Sequence, residues 1–251
     1  MEASFLFLGS GASMGVPIIG CPCAICQRKE ERLRSSALLT IGGKKLLIDA
    51  GPDFRRQALL HKVEDIDALI LTHSHYDHIG GLEDLRIIYY QKKEKIPCYL
   101  STETLQEWRT KTHITPLFSP YILPEKSGPC TIEGLDACAF YFWQNDTKVQ
   151  GYRFGDLAYI TDISDYEEEI FSHLSGISTL VISACNLKRS PLHLGLECAV
   201  AFAEKTSANK VFFTHLSHEI DTRIVSFPGS YSNVEQTQAF AYDGLTINFT
   251  Y

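Results

Sequence analysis

A dense group of potential metal ligands occupies residues 73–78, directly after an apolar, strand-like run. This segment reads His-Ser-His-Tyr-Asp-His and places three imidazoles and one carboxylate within six residues. Alternate residues at a strand end project in the same direction, so His73 and His75 can meet at one point. Asp77 and His78 then begin the next helix and face a second point close by. The spacing H-x-H-x-D-H predicts two adjacent divalent ions with nitrogen and carboxylate ligands. A polar loop with incidental histidines is the alternative, although unrelated loops seldom concentrate ligands in this way.

The segment resembles the signature of the metallo-β-lactamase superfamily, and two later residues resemble further ligands of that family. Asp162 and His215 each follow an apolar, strand-like run, in the order that the family requires. The resemblance implies that Asp162 bridges two ions. It also implies the ligands of the second ion, which are Asp77, His78, Asp162 and His215.

The third histidine of the family is missing, and by resemblance Asn145 occupies the matching place. The first ion would then keep His73, His75 and a share of Asp162. An amide oxygen of Asn145, or a carboxylate oxygen of the adjacent Asp146, would complete its ligands. Oxygen ligands favour manganese or iron(II) more than imidazole does, although zinc is also compatible. A degenerate, weakly active member of the family is the alternative interpretation.

Three of the eight cysteines, Cys21, Cys23 and Cys26, stand near the N-terminus at C-x-C-x-x-C spacing. Structural zinc sites are usually four-coordinate, so three thiolates require a fourth ligand. Together with the motif Thr-His-Leu-Ser-His, which contains His215 and His218, these cysteines resemble the phosphoribosyl cyclic phosphodiesterase branch of the superfamily, from the carbon–phosphorus lyase pathway. The resemblance implies a structural zinc held by Cys21, Cys23, Cys26 and His218. A disulfide or free thiols are the alternatives.

Two other side chains receive an expected role. Asp49 follows an apolar run and resembles the family's aspartate that orients the ligands from beneath the metal centre, the alternative being an aspartate that caps a turn. His193 precedes a predicted helix and matches the family's histidine that contacts substrate phosphate and delivers a proton. We therefore expect Asp77 and His193 to be catalytic, with His193 a general acid or oxyanion stabiliser. A surface histidine without a role is the alternative. The five remaining cysteines lie singly in apolar contexts, which favours buried thiols over ligands; they are Cys98, Cys130, Cys138, Cys185 and Cys198.

Composition limits the class of protein. The 251 residues are 45% apolar and 21% charged, which predicts one globular domain spanning 1–251. No apolar run is long enough to cross a bilayer, and the first residues do not resemble a signal peptide. We therefore expect a cytoplasmic protein with reduced cysteines and no membrane partner. The net charge of −7 at pH 7 argues against an extended nucleic-acid surface.

The predicted secondary structure agrees with the fold that the motif implies. Short strand-like runs alternate with helical segments at 54–62, 81–91, 164–173 and 195–206. Residues 103–134 are predicted to be a long connection that could hold a small lid. Periodicity alone supports a mixed α/β protein. The resemblance narrows this to a four-layer αββα metallo-β-lactamase sandwich, with two sheets face to face and helices outside.

The sequence therefore predicts a dinuclear-metal hydrolase with a separate structural zinc. Two ions in the active site, zinc, manganese or iron, would activate water and stabilise growing charge on a phosphoryl group. The expected substrate is a small or cyclic phosphodiester. The same ligands also serve hydrolases of thioesters, lactones, β-lactams or RNA 3′ ends. A non-catalytic member that binds a nucleotide or cofactor precursor is the alternative outside the enzyme class, and a homodimer is left open.

Overall fold

The computed structural model describes residues 1–28, 30–113, 115–223 and 236–251. In chain order, its strands are β1 (Glu2–Gly9), β2 (Ser36–Ile41), β3 (Lys44–Ile48), β4 (Ala68–Ile70), β5 (Ile96–Leu100), β6 (Phe118–Ile122), β7 (Gly128–Ile132), β8 (Leu135–Gln144), β9 (Thr147–Phe154), β10 (Leu157–Ile160), β11 (Thr179–Ser183), β12 (Lys210–Thr214), β13 (Thr237–Phe240) and β14 (Thr246–Thr250). Its α-helices are α1 (Ala24–Gln27), α2 (Phe54–His61), α3 (Tyr76–Ile79), α4 (Arg86–Lys92), α5 (Thr102–Lys111), α6 (Ile170–His173) and α7 (Leu196–Glu204). Short 3-10 helices span Leu82–Leu85 and Thr115–Leu117. Among the helices of the described residues, none combines the length and the apolar character needed to cross a bilayer.

The strands form two seven-stranded sheets with matching internal patterns. The first sheet has the order β14-β1-β2-β3-β4-β5-β6, and the second has the order β13-β12-β11-β10-β9-β8-β7. In the first sheet β3 to β6 pair in parallel, and in the second β10 to β13 do so, while the other neighbours are antiparallel. Because parallel strands end at the same edge, residues that follow them are brought together there.

Apolar side chains fill three layers around these sheets. Between the sheets, the rings of Phe5 from β1 and Tyr159 from β10 lie 5.5 Å apart. Outside the first sheet, Trp108 of α5 packs in a cluster shared with α2 and α4. Outside the second sheet, Phe202 of α7 packs in a cluster shared with α6. Burial of each such side chain contributes about 1.5–3 kcal/mol. The predicted four-layer αββα sandwich is confirmed.

Two predicted elements differ from those observed. Residues 103–134 contain most of α5 and two edge strands, β6 of the first sheet and β7 of the second, so they are not a long connection. Exposed side chains and Pro120 obscure β6 in the sequence, since an edge strand tolerates both. The helix predicted over 164–173 is confined to α6, because Asp165 pairs its backbone with Trp143 at the end of β8.

Candidate metal centre

The H-x-H-x-D-H segment connects the end of β4 with α3. The His73 ring lies 4.5 Å from the His75 ring and 4.2 Å from the His78 ring, measured between centroids. Asp77 and His78 belong to α3 and are buried, as is His73. The structure therefore brings His73 and His75 together, as the spacing predicts, and places His78 beside His73.

Three other strand ends carry polar side chains to this place. Asp49 follows β3, Asp162 lies shortly after β10, and His215 follows β12. Each has a left-handed backbone conformation, with φ of 58°, 57° and 56° respectively. Residues other than glycine rarely adopt this conformation, although aspartate, asparagine and histidine do so more than most. The chain thus turns sharply as it leaves each strand. Such backbone strain is concentrated at functional sites in proteins.

Two carboxylates and two imidazoles form the second ligand set. Nε2 of His78 lies 3.1 Å from Oδ2 of Asp162 and 3.4 Å from Oδ2 of Asp77. Nε2 of His215 lies 3.2 Å from Oδ1 of Asp162 and 3.5 Å from Oδ2 of Asp77. All four side chains are buried, and one ligand atom from each lies within 4.8 Å of the others. The structure thus assembles the ligands predicted for the second ion.

The donor atoms of this cluster fit divalent ions. Within the described part of the chain, Nε2 of His73, Nε2 of His78 and both ring nitrogens of His215 are buried without a hydrogen-bond partner. Buried polar atoms in native proteins are nearly always satisfied, and a bound ion is one explanation for such exceptions. Nitrogen and carboxylate oxygen atoms at these separations match the ligand preferences of zinc, manganese and iron.

Asp49 supports the centre from below. Its Oδ1 accepts a hydrogen bond from the Thr72 backbone N–H at 2.9 Å, and its Oδ2 accepts one from Thr72 Oγ1 at 2.7 Å. Its Oδ2 also lies 2.7 Å from Nδ1 of His78. A carboxylate on one ring nitrogen orients the imidazole and leaves the other nitrogen free for a metal. The structure thus gives Asp49 the supporting position that the sequence predicts.

Electrostatic coupling among these groups shifts their pKa values strongly. Burial opposes ionisation of Asp162, but the imidazoles of His215 and His78 hold its pKa well below the usual range. Burial also opposes the charged form of His78, but Asp77, Asp162 and Asp49 raise its pKa well above the usual value. A metal ligand must be a neutral imidazole, so binding an ion here releases a proton. Metal affinity should therefore fall as the pH is lowered.

The buried amide that contacts Asp162 belongs to Gln144, which corrects the prediction of Asn145. Asn145 and Asp146 form the exposed two-residue turn between β8 and β9, and the Asn145 amide donates to the Asp146 carboxylate at 2.9 Å. Gln144 is only 4% exposed, and its Nε2 donates to Oδ1 of Asp162 at 2.9 Å. Its Oε1 is buried and has no hydrogen-bond partner among the described residues. Gln144 can therefore offer the oxygen assigned to Asn145.

A thiolate cluster forms another ligand set, separate from the residues of the dinuclear centre. The sulfur atoms of Cys21, Cys23 and Cys26 lie 3.4, 3.5 and 3.5 Å from Nδ1 of His218. The Cys26 backbone N–H donates to the Cys23 sulfur and lowers the pKa of Cys23 to about 6, which favours the thiolate. These cysteines are free of disulfides. The arrangement of three sulfurs around one nitrogen fits a four-coordinate structural ion, and includes all four residues that the resemblance implies.

His193 lies beside the centre together with a cysteine that sequence reasoning did not assign. His193 is 7% exposed, and its Nδ1 is 3.8 Å from Oδ1 of Asp162. Cys185 follows β11, and its sulfur groups with nitrogens of His193 and His215 within 4.8 Å. Burial raises the pKa of Cys185, but contacts with both imidazoles outweigh it and bring the pKa to about 7. The signal that could have identified Cys185 is the place of its strand in the sheet. The strand β11 lies between β10 and β12, which precede Asp162 and His215.

Comparison with protein families agrees with this geometry. A family model described as the beta-lactamase superfamily domain matches residues 44–216, which include the H-x-H-x-D-H segment, Asp162 and His215. The chain belongs to the metallo-β-lactamase superfamily. A crystal structure described as a new diphosphatase from the PhnP family is 33% identical, with a TM-score of 0.89, and covers 99% of this chain and 98% of that chain. This metallo-β-lactamase-fold chain therefore belongs to the PhnP-like branch.

Two curated relatives of this metallo-β-lactamase-fold protein carry other names. An octanoyltransferase of Porphyromonas gingivalis is 32% identical over 228 residues, which are 85% of this chain but 46% of that protein. A coenzyme PQQ synthesis protein B of Methylobacterium nodulans is 37% identical over 98 residues, 32% of this chain and 33% of that protein. The chain thus spans a half or less of the curated relatives it matches here.

Replacing a thiolate ligand should unfold this metallo-β-lactamase domain more readily. We expect Cys23→Ser to lower the stability by roughly 4 kcal/mol or more, as loss of a structural metal does, and the melting temperature by about 10 °C. Thermal denaturation and zinc content measured on the same preparation check this. Cys130→Ser is the control, because Cys130 is a half-buried thiol outside the cluster. An unchanged melting temperature for Cys23→Ser would show that these cysteines bind no structural ion.

A histidine at position 144 should strengthen the first metal site. We expect Gln144→His to raise the affinity for the more weakly held active-site ion about tenfold, because it supplies the missing imidazole. Competition with a chelator, followed by elemental analysis, measures this affinity. Asn145→His is the matched control, because position 145 lies in the exposed turn. A gain in Asn145→His that Gln144→His lacks would reverse the correction made above.

Removing the carboxylate beneath His78 should weaken metal binding while the ligands themselves stay intact. We expect Asp49→Asn to lower active-site metal affinity about 10- to 100-fold, as loss of a ligand-orienting partner does. Isothermal titration of metal-free protein measures the change. Asp67→Asn is the control, because Asp67 accepts from the Lys45 backbone N–H and is not part of the metal centre. Equal metal affinities in both variants would argue that Asp49 only stabilises its turn.

Proposed function

We propose that this protein is a metal-dependent hydrolase that cleaves small phosphodiesters, linear or cyclic, and related phosphoric anhydrides. The observation that carries the proposal is the buried cluster in which unpartnered imidazole nitrogens face two carboxylates. A structural zinc ion held by the four-ligand thiolate cluster is part of the same proposal. Thiolate ligands need a reducing compartment, so a cytoplasmic location belongs to the same proposal.

The ligands divide between two active-site ions. The first would take His73, His75, one oxygen of Asp162 and Oε1 of Gln144. The second would take Asp77, His78, Asp162 and His215. Zinc, manganese and iron(II) all suit this mixed set, and the amide oxygen shifts the first site towards manganese or iron. When bound, two such ions supply hydroxide at neutral pH and neutralise charge that grows on the phosphoryl group.

The surrounding residues hold the ligands and handle the proton. Gln144 and Asp49 orient Asp162 and His78 through the hydrogen bonds described above. His193 is placed next to Asp162 at the edge of the centre, where it can donate a proton to the departing oxygen of the substrate. Contact of the same imidazole with a phosphoryl oxygen would also stabilise negative charge there.

Similarity to the PhnP-family diphosphatase supports phosphorus as the atom attacked. The two chains align over nearly their whole lengths at 33% identity. A diphosphate and a phosphodiester both present a phosphorus atom with a leaving oxygen, so one metal centre and one proton donor can serve either. The net charge of −7 favours a small substrate over an extended nucleic acid.

Two substrates with different leaving groups should reveal the role of His193. We expect His193→Ala to slow hydrolysis of an alkyl phosphodiester roughly 10²- to 10⁴-fold, as loss of a general acid does. Hydrolysis of bis(p-nitrophenyl) phosphate should change little, because p-nitrophenolate departs without a proton. Steady-state kinetics with each metal measure both rates. His173→Ala is the control, because His173 lies beside Cys138, away from the metal centre.

The outcomes distinguish the parts of this proposal. Equal losses on both substrates would make His193 a phosphate-binding residue and not a proton donor. Asp162→Ala should abolish both activities, since one carboxylate serves both ions. If fully metallated protein hydrolysed no phosphodiester and no diphosphate with any of the three metals, from neutral to mildly alkaline pH, the proposed function would be wrong.

A further inference from the structure

A third group of ligand atoms lies beside the active-site cluster. Sulfur of Cys185 and ring nitrogens of His193 and His215 are buried within 4.8 Å of one another. Nδ1 of His193 and both nitrogens of His215 have no hydrogen-bond partner among the residues that the structure describes. Nδ1 of His193 is only loosely paired with Asp162, at 3.8 Å. A thiol is thus surrounded by imidazole nitrogens that hydrogen bonding leaves unsatisfied.

Backbone hydrogen bonds hold the segments that carry these three side chains in place. The Ala184 N–H donates to the Thr214 carbonyl and the Ser217 N–H donates to the Cys185 carbonyl, both at 2.9 Å. These bonds fix the Cys185 segment against the turn that contains His215. Ser190 holds His193 through two bonds, at 3.1 Å from the His193 N–H to Oγ and at 2.8 Å from the Ser190 N–H to the His193 carbonyl. The fold therefore fixes the backbone from which the three buried side chains extend.

We propose that Cys185, His193 and His215 form a distinct site for a soft divalent ion, zinc in particular, and that zinc bound there inhibits the enzyme. One thiolate and two imidazoles prefer zinc to manganese, whereas the carboxylate-rich set that also uses His215 accepts harder ions. These three residues are called the triad. An ion bound to the triad competes with the second active-site ion for His215. It also occupies His193, so the inhibitory half of the proposal depends on the proposed role of His193 in hydrolysis.

Binding to the triad is stoichiometrically simple. The hydrated ion gives up water ligands, the Cys185 thiol releases its proton to solvent, and one metal–sulfur and two metal–nitrogen bonds form, with no change of oxidation state. Excess zinc is therefore the only reagent that the effect requires. The turnover number of the manganese-loaded enzyme would therefore fall as the zinc concentration rises, in proportion to the fraction of triads that hold zinc.

Cobalt(II) gives a direct test, because a thiolate ligand produces an intense near-ultraviolet charge-transfer absorption on this ion. Protein carrying one equivalent of zinc, which fills the four-ligand thiolate cluster first, is titrated with cobalt(II). We expect the wild type and Cys198→Ser to show a charge-transfer band that Cys185→Ser lacks. Cys198 is a matched control, as a half-buried cysteine outside all three ligand groups. Exchange of cobalt into the four-ligand cluster appears in all three proteins and is subtracted.

Zinc inhibition is then measured on the manganese-loaded proteins. A tenfold molar excess of zinc should lower turnover at least about tenfold in the wild type and in Cys198→Ser, but less than about twofold in Cys185→Ser. Cys185→Ala replaces the serine variant if the latter melts at a lower temperature. An equal cobalt band with and without Cys185 overturns the site. A Cys185-dependent band without zinc inhibition supports the site and overturns its inhibitory role. The spectroscopic result needs no turnover, so it holds even if the protein hydrolyses no phosphodiester.

Discussion

Burial of opposite charges in one place is the constraint on which the rest of the structure depends. Asp49, Asp77 and Asp162 lie with His78 and His215 where water has little access. An unpaired charge in such a place would cost several kcal/mol. Each carboxylate therefore faces at least one imidazole, and Nε2 of His78 and of His215 both lie close to Asp77 and Asp162. Protons on the imidazoles offset the carboxylates when no ion is bound, and a bound ion would replace those protons, so metal binding and the stability of the site are coupled.

The two sheets provide this arrangement through their parallel halves. Asp49 and His73 follow neighbouring parallel strands of the first sheet, and Asp162, Cys185 and His215 follow three neighbours of the second. The thiolate cluster adds a further connection, because His218 comes three residues after His215. Arg32 also donates to the carbonyls of Ser217 and Ile220, both at 2.8 Å. A structural ion at the cluster would thus fix the N-terminal segment against the chain that leaves the active site.

Much of the centre could be predicted because its ligands follow strands whose apolar runs are visible in the sequence. The H-x-H-x-D-H segment is local, and Asp162 and His215 each stand at a recognisable strand end. Gln144 could not be separated from Asn145 in this way. The resemblance located the missing ligand only to within one residue, and the exact end of β8 before the turn at residues 145–146 decides which amide is buried. Cys185 was missed for another reason: its partners lie on different strands, and the sequence does not reveal which strands are neighbours.

The left-handed backbone at Asp49, Asp162 and His215 restricts which side chains these positions can accept. Two independent requirements apply at these positions. The residue must tolerate this backbone conformation, and its side chain must place a polar atom at a fixed distance from the backbone. Aspartate satisfies both, because its short side chain is among those best tolerated in this conformation. Glutamate keeps the charge but tolerates the backbone less well and extends the carboxylate by one methylene group. Glycine relieves the backbone and removes the donor. An exchange of aspartate for glutamate, ordinarily conservative, is therefore a disruptive change at these strand ends.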